Sequence, residues 1–247
     1  MLYLLGTGLY YLSDIPLRAV DILKKCSRVF LERYTNINDI GFIAELERIT
    51  DKKIEIIGRE LLEGEYLISL ARDLDVALLV PGDPLFATTH ISLVVGRKKN
   101  GIKYKIVHAS SISTAVAETG LSPYKFGAVC SIPLYSKGFK PESFFDVVEK
   151  NLKEGFHSLV LLEAKNDAEF VSVEDAISIL KGIADKRKTH GIDWKNVICI
   201  SSMGSDEQNI FFVSSGSSAY KPPLALVIPA SMSTIENENV HLLLDKN

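Results

Sequence analysis

Apolar positions along the chain recur at two alternating spacings. Leu2 to Leu5 is a short unbroken apolar run that stops at Gly6-Thr7-Gly8, and Ala19, Ile22, Leu23 and Cys26 then recur at helical spacing on one face. This opening reads as strand, glycine turn, helix. Arg28 to Glu32 and Lys53 to Ile57 read as strands flanking a helix from Asp39 to Ile49. Leu67, Leu70, Ala71 and Leu74 keep one helical stripe, and Val76 to Val80 is apolar at every position. Thr89 to Lys99 reads as a helix leading into a strand at Tyr104 to Val107. Strands alternating with helices in this way imply a parallel sheet.

The pattern changes after residue 109, where Ser110 or Ser111 can cap a helix carrying Ile112, Ala115 and Val116, with Gly120 as its stop. A domain boundary is placed there, giving domains of residues 1–109 and 110–247. Phe144, Val148 and Leu152 form one later helical stripe. Ser172 and Asp175 make a capping-box pattern ahead of Val173, Ala176, Ile177 and Leu180. Strands are predicted at Ala128 to Pro133, His157 to Leu162, Val197 to Ser201, Ile210 to Val213 and Leu224 to Pro229. Two of them follow one another directly, so the second sheet is expected to be mixed. The predicted fold class is α/β, with two α/β domains.

The chain has 247 residues, 47% of them hydrophobic, enough for one large core or two smaller ones and too many for a disordered chain. Lys and Arg number 28 against 31 Asp and Glu, a net charge of -3. That balance gives no basic field for a nucleic-acid backbone, and no nucleic-acid partner is expected. The apolar start has no positive residue before Arg18 and contains Gly6 and Gly8, so it reads as a first strand and not as a secretion signal. No apolar stretch approaches the length of a membrane span, and no membrane association is expected. Three widely spaced cysteines, Cys26, Cys130 and Cys199, suit a reducing, cytoplasmic compartment. The five histidines show no paired ligand spacing, so no metal site is expected.

Two turns offer chemistry. The first, Gly6-Thr7-Gly8, invites a dinucleotide reading in which Glu32, closing the next strand, would bind a ribose. The third glycine of that fingerprint is replaced by Tyr11, and a plain tight turn is the alternative. The second is Gly82-Asp83-Pro84-Leu85-Phe86-Ala87-Thr88-Thr89-His90, just beyond a fully apolar strand. Ligands collect beyond the carboxyl ends of parallel strands, so this stiff segment could form the rim of a site. Alternatively, Asp83 caps a helix whose first residue is Pro84. There is no Gly-x-Ser-x-Gly elbow and no cue for an activated cysteine.

Taken together, Gly6-Thr7-Gly8-Leu9, the Gly82-Asp83-Pro84 turn and the two α/β halves resemble the tetrapyrrole methylase superfamily, whose members transfer a methyl group from S-adenosylmethionine. Glu32-Arg33-Tyr34-Thr35, Gly82 to His90, His108 to Ile112, Tyr124-Lys125-Phe126-Gly127 and Gly155 to Glu163 are similar to its diphthine synthase family. Met203-Gly204-Ser205 and Pro222-Pro223 extend that similarity. The resemblance implies a cofactor cleft between two α/β domains, with contacts at Leu9, Asp83, Phe86, Ser111, Ile112, Leu162, Met203 and Leu224. Family members often carry a histidine where this chain has Leu224. The implied reaction methylates the amino group of the aminocarboxypropyl-histidine of translation elongation factor 2 in diphthamide biosynthesis, releasing S-adenosylhomocysteine. A homodimer is implied as well. No catalytic residue is assigned; Glu32, Tyr34, Thr89 and His90 are candidates for the substrate side. The competing readings are a same-fold methylase acting on a tetrapyrrole or RNA, a catalytically silent cofactor-binding module, and a dinucleotide-dependent oxidoreductase.

Overall fold

A computed structural model describes residues 1–10, 12–32, 40–99, 101–165, 169–215 and 220–244. The chain forms two compact units, Met1–Ile112 and Ser113–Asn247.

In chain order the first unit runs β1 (Leu2–Gly6), α1 (Leu17–Leu23), β2 (Arg28–Glu32), α2 (Ile40–Thr50), β3 (Ile54–Ile57), α3 (Arg59–Glu63), α4 (Tyr66–Asp73), β4 (Val76–Val80), α5 (Ile91–Lys99) and β5 (Tyr104–Val107). Its sheet has the order β3-β2-β4-β1-β5, and every neighbouring pair is parallel. The central strand β4 lies between β1 and β2, with Leu79 level with Leu5 on one side and Leu31 on the other.

Side chains alternate between the two faces of this sheet. Leu5, Val29, Leu31, Ala77 and Leu79 cluster with Ala19 and Leu23 of α1 and with Phe42 and Leu46 of α2. Leu2, Leu4, Phe30, Val76, Leu78 and Val80 cluster instead with Leu62 of α3, Leu67 and Ala71 of α4, and Leu93 and Val94 of α5. Every side chain of β4 is buried because both faces are covered, which is why the strand has no polar position. Each buried Val or Leu contributes about 1.5–3 kcal/mol relative to an exposed one.

The helix predicted through Cys26 ends at Leu23, and Cys26 is carried in a turn whose amide bonds to the Leu23 carbonyl. The short α3 has no counterpart in the sequence reading. The helix predicted from Thr89 starts at Ile91, because residues 81–90 are taken up by turns.

A short helix, α6 (Ile112–Ala115), leads into the second unit: β6 (Cys130–Ile132), α7 (Ser143–Glu154), β7 (Ser158–Leu162), α8 (Val173–Arg187), β8 (Ile198–Ser201), β9 (Asn209–Phe212), β10 (Leu224–Ile228) and α9 (Thr234–Leu244). The sheet order is β6-β7-β10-β8-β9. It is mixed, as predicted: β6 and β7 are parallel, whereas β10 runs antiparallel to both its neighbours and β8 antiparallel to β9. Phe144, Phe145 and Val148 of α7, with Ala176, Leu180 and Ile183 of α8, form the core against Val160, Leu162, Cys199 and Leu226. The predicted cap of α8 is present, the Asp175 amide donating to Ser172 Oγ at 3.0 Å. Gly120 adopts the left-handed conformation, with φ +88°, and closes the 3-10 turn that follows α6. Among the described residues no helix is long and apolar enough to cross a membrane.

Candidate functional site

The order of the first sheet creates one fork. After β1 the chain crosses towards β2, and after β4 it crosses in the opposite direction towards β5. The helices that follow, α1 and α5, lie on opposite faces of the sheet. The loops leaving the adjacent strands β1 and β4 therefore diverge, and a crevice at such a switch point is where open α/β sheets bind ligands. Both glycine-bearing turns picked out in the sequence leave this fork.

The turns are tied together. The Thr7 amide donates to the Val80 carbonyl at 2.9 Å, and Gly8 and Gly82 then exchange a pair of backbone hydrogen bonds of 3.3 and 2.8 Å. Gly82 has φ +70°, a left-handed conformation that side chains disfavour. Gly6 is required for a different reason: a Cβ there would stand 2.6 Å from the Gly82 carbonyl oxygen and 2.7 Å from Ala109 Cβ.

Beyond Gly82, Asp83 is turned into its own loop. Its Oδ1 accepts the Leu85 amide at 3.0 Å, and its Oδ2 lies 2.7 Å from His108 Nδ1. It does not cap a helix, because Pro84 lies in a turn and α5 begins only at Ile91. The helix-cap alternative is thereby corrected. Leu9, Asp83 and Phe86 keep part of their surface accessible, whereas Ser111 is buried beside Gly82. Ile112, half-buried, opens α6. The result is a rim with apolar surface, one carboxylate and one hydroxyl, at the carboxyl ends of β1, β4 and β5.

Glu32 and His90 have a different setting. Glu32 ends β2 with none of its surface exposed, and His90 is 1% exposed. His90 Nε2 lies 2.7 Å from Glu32 Oε2. A ribose-binding role for Glu32 is overturned by this burial, since none of the carboxylate is accessible to a ligand. Thr89 is exposed. Tyr11 and Tyr34 lie outside the described residues. His108, the partner of Asp83, was missed by the sequence reading. Its cue is a histidine directly after a strand of the same sheet, two strands away from β4.

In the second unit, Leu162 closes β7 and is the register partner of Leu224, which opens the antiparallel β10. Leu224 is in turn level with Ser201, the last residue of β8, and Met203 follows two residues later. The structure thus brings Leu162, Met203 and Leu224 to one end of the interior strands of the second sheet, all three buried. Elsewhere in this unit a cavity of about 560 Å³, lined by Ser122, Lys125, Glu236 and Asn239 among others, includes none of these three residues.

Residues 1–217 match the family of tetrapyrrole (corrin/porphyrin) methylases. A diphthine synthase of Methanococcus vannielii is 36% identical over 216 residues, covering 86% of this chain and 85% of the relative. The diphthine methyl ester synthase of Homo sapiens is 36% identical over 233 residues, covering 85% of this chain and 81% of the relative. A crystal structure of diphthine synthase superposes with a TM-score of 0.84 at 27% identity, over 99% of this chain and 96% of that one. The chain belongs to the tetrapyrrole methylases, a family of methyltransferases, and within them to the diphthine synthase family.

Proposed function

We propose that this chain transfers methyl groups from S-adenosylmethionine to the amino group of the aminocarboxypropyl-histidine of translation elongation factor 2, a step of diphthamide biosynthesis. The observation that carries the proposal is the partly accessible rim of Leu9, Asp83 and Phe86 at the fork, in a chain 36% identical to named diphthine synthases. When bound, S-adenosylmethionine supplies a methyl group already activated on a sulfonium. The residues fit such a group. Leu9, Phe86 and Ile112, partly accessible on the first unit, offer apolar surface suited to an adenosyl and thioether body, and Leu162, Met203 and Leu224, buried in the second unit, are the further contacts proposed there. Asp83 and Ser111 offer a carboxylate and a hydroxyl suited to its polar and cationic parts.

The task left to the protein is positioning. Holding donor and acceptor at reacting distance removes translational and rotational entropy worth up to about 7–11 kcal/mol in favourable systems. The acceptor ammonium first gives its proton to water or to a positioned base, a role to which no residue is assigned. The enzyme is further proposed to act as a cytoplasmic homodimer.

The test is incubation with labelled S-adenosylmethionine and elongation factor 2 carrying the aminocarboxypropyl-histidine. Label on the factor is expected. Label on RNA or a corrin instead would overturn the substrate, binding without transfer would favour a silent module, and a response to a nicotinamide cofactor alone would favour an oxidoreductase.

A second reading follows from the relatives' names. The methanogen relative is a diphthine synthase and the human relative a diphthine methyl ester synthase, both at 36% identity, so identity does not separate amine from carboxylate methylation. Mild alkali separates them: N-bound label survives, and ester-bound label is released.

A further inference from the structure

Outside the residues assigned to the donor, the first unit buries an acid and a base against each other. Removing a carboxylate from water is costly unless it is paired, and Glu32 at the end of β2 has the ring of His90 among its neighbours. The partner atoms constrain the protons. His90 Nδ1 lies 3.1 Å from the Pro84 carbonyl, which can only accept, so Nδ1 carries its hydrogen. Its other ring nitrogen faces the acid, with 2.7 Å between Nε2 and Glu32 Oε2. The ring is thus held with Nδ1–H aimed at Pro84.

The Pro84 carbonyl receives a second donor, Thr88 Oγ1 at 2.9 Å, and the His90 amide lies 3.4 Å from that same hydroxyl. Between them Ala87 holds φ +53°. A left-handed conformation is disfavoured for a residue with a Cβ, so the surrounding bonds must hold it. The segment from Asp83 to Phe86 is thus pinned at one end by the Gly8–Gly82 bridge and at the other by the Pro84 anchor.

We propose that Glu32 and His90 are positioning residues: the buried pair fixes the Pro84 carbonyl and so sets the Asp83–Phe86 segment in its donor-binding conformation before the donor arrives. The proposal rests on the reading of Asp83 and Phe86 as donor contacts. Its physical basis is preorganisation, in which a loop already in its bound shape loses no conformational entropy on binding.

Two substitutions separate anchoring from burial. His90→Gln places an amide nitrogen near the Nε2 position, keeping a donor for Glu32 and losing the one for Pro84. His90→Asn combined with Glu32→Gln does the reverse, placing a nitrogen near the Nδ1 position and removing the buried charge. Isothermal titration with S-adenosylhomocysteine is expected to show about tenfold weaker binding for H90Q and a change within about threefold for the double variant. With saturating donor, turnover of H90Q stays within about threefold of the unsubstituted enzyme, so the loss falls on KM. In the ligand-free protein, hydrogen exchange over residues 84–89 is expected to quicken about tenfold in H90Q and to change little in the double variant. Thr88→Val, which leaves the buried pair intact, removes the other donor to Pro84 and is expected to quicken the same segment about threefold.

Unchanged exchange over residues 84–89 in folded H90Q overturns the proposal, as does equal weakening in both histidine variants. If H90Q does not fold, unchanged exchange in T88V overturns it. Absence of S-adenosylhomocysteine binding by the unsubstituted protein overturns the donor reading alone, and the exchange comparison then still decides whether the pair anchors the loop.

Discussion

Glu236 shows how far a single carboxylate can be organised by its neighbours. It accepts the Ser122 amide at 3.1 Å, the Ser233 amide at 2.8 Å and Lys125 Nζ at 3.0 Å, and it faces His157 Nε2 at 3.1 Å. The Ala230 amide donates to His157 Nδ1, so the proton of the neutral ring sits on Nε2 and points at Glu236. Burial pushes the His157 ring below its ordinary 6.5, against the pull of Glu236. Burial alone would raise the Glu236 carboxyl above its ordinary 4.5, but the Ser233 amide, His157, Lys125 and the Ser122 amide hold it far below. Both groups bind protons more readily in the unfolded chain, so both stabilise the fold less as pH falls. The thermal midpoint is therefore expected to hold above pH 6.5, to fall below it as unfolded His157 protonates, and to fall again below pH 4.5. Melting curves across pH 8 to 4 measure this, and His157→Gln, which does not titrate, flattens the first descent. Asp83 gives a second prediction at this scale. Its ties are to Leu85 and His108 and it caps no helix, so Asp83→Ala weakens S-adenosylhomocysteine binding about tenfold or more while lowering stability by about 1 kcal/mol. Titration calorimetry and a urea melt separate the two effects.

Elements with one unambiguous period were the ones legible in the sequence. β1 and β4 announced themselves because burial on both faces leaves no polar position, and α8 because Ser172 and Asp175 mark its start. Helix α9 escaped notice because its first two turns are mostly polar, although Ser233 and Glu236 form a reciprocal capping box: the Glu236 amide donates to Ser233 Oγ, and Glu236 Oε2 accepts the Ser233 amide. The late start of α5 was not legible, since the turns at residues 81–90 depend on Pro84 being bonded by His90, six positions away. Close approach between elements yields its own prediction. Gly6→Ala would drive a methyl group into the Gly82 carbonyl and Ala109, spreading the fork, and is expected to cost about 1–3 kcal/mol in a denaturant melt.

At the scale of the whole molecule, strand order was beyond the sequence reading, because nothing local dictates that β4 pairs with both β1 and β2. The Asp83–His108 contact and the fork itself inherit that illegibility, whereas the two-sheet, two-unit α/β class did not need strand order to be read. The molecule also keeps all its thiols inside. Burial pushes Cys26 up to about 11, and Cys130 and Cys199 each up to about 12. Thiolate is the reactive form, so a native sample is expected to take up no thiol reagent on the timescale on which the denatured chain reports all three cysteines.

The place of β4 also bears on how the molecule comes into being on the ribosome. β1 and β2 leave the exit tunnel first, yet they are not neighbours; β2 can pair early with β3, but the strand that joins it to β1 follows only some fifty to seventy residues further on. Until that later segment slides into the gap, the nascent polypeptide has neither a finished sheet nor the fork, and its capacity to hold a methyl donor cannot build up residue by residue. The fork arrives in one late event, when synthesis has passed the middle of the first unit and the missing centre strand locks into place.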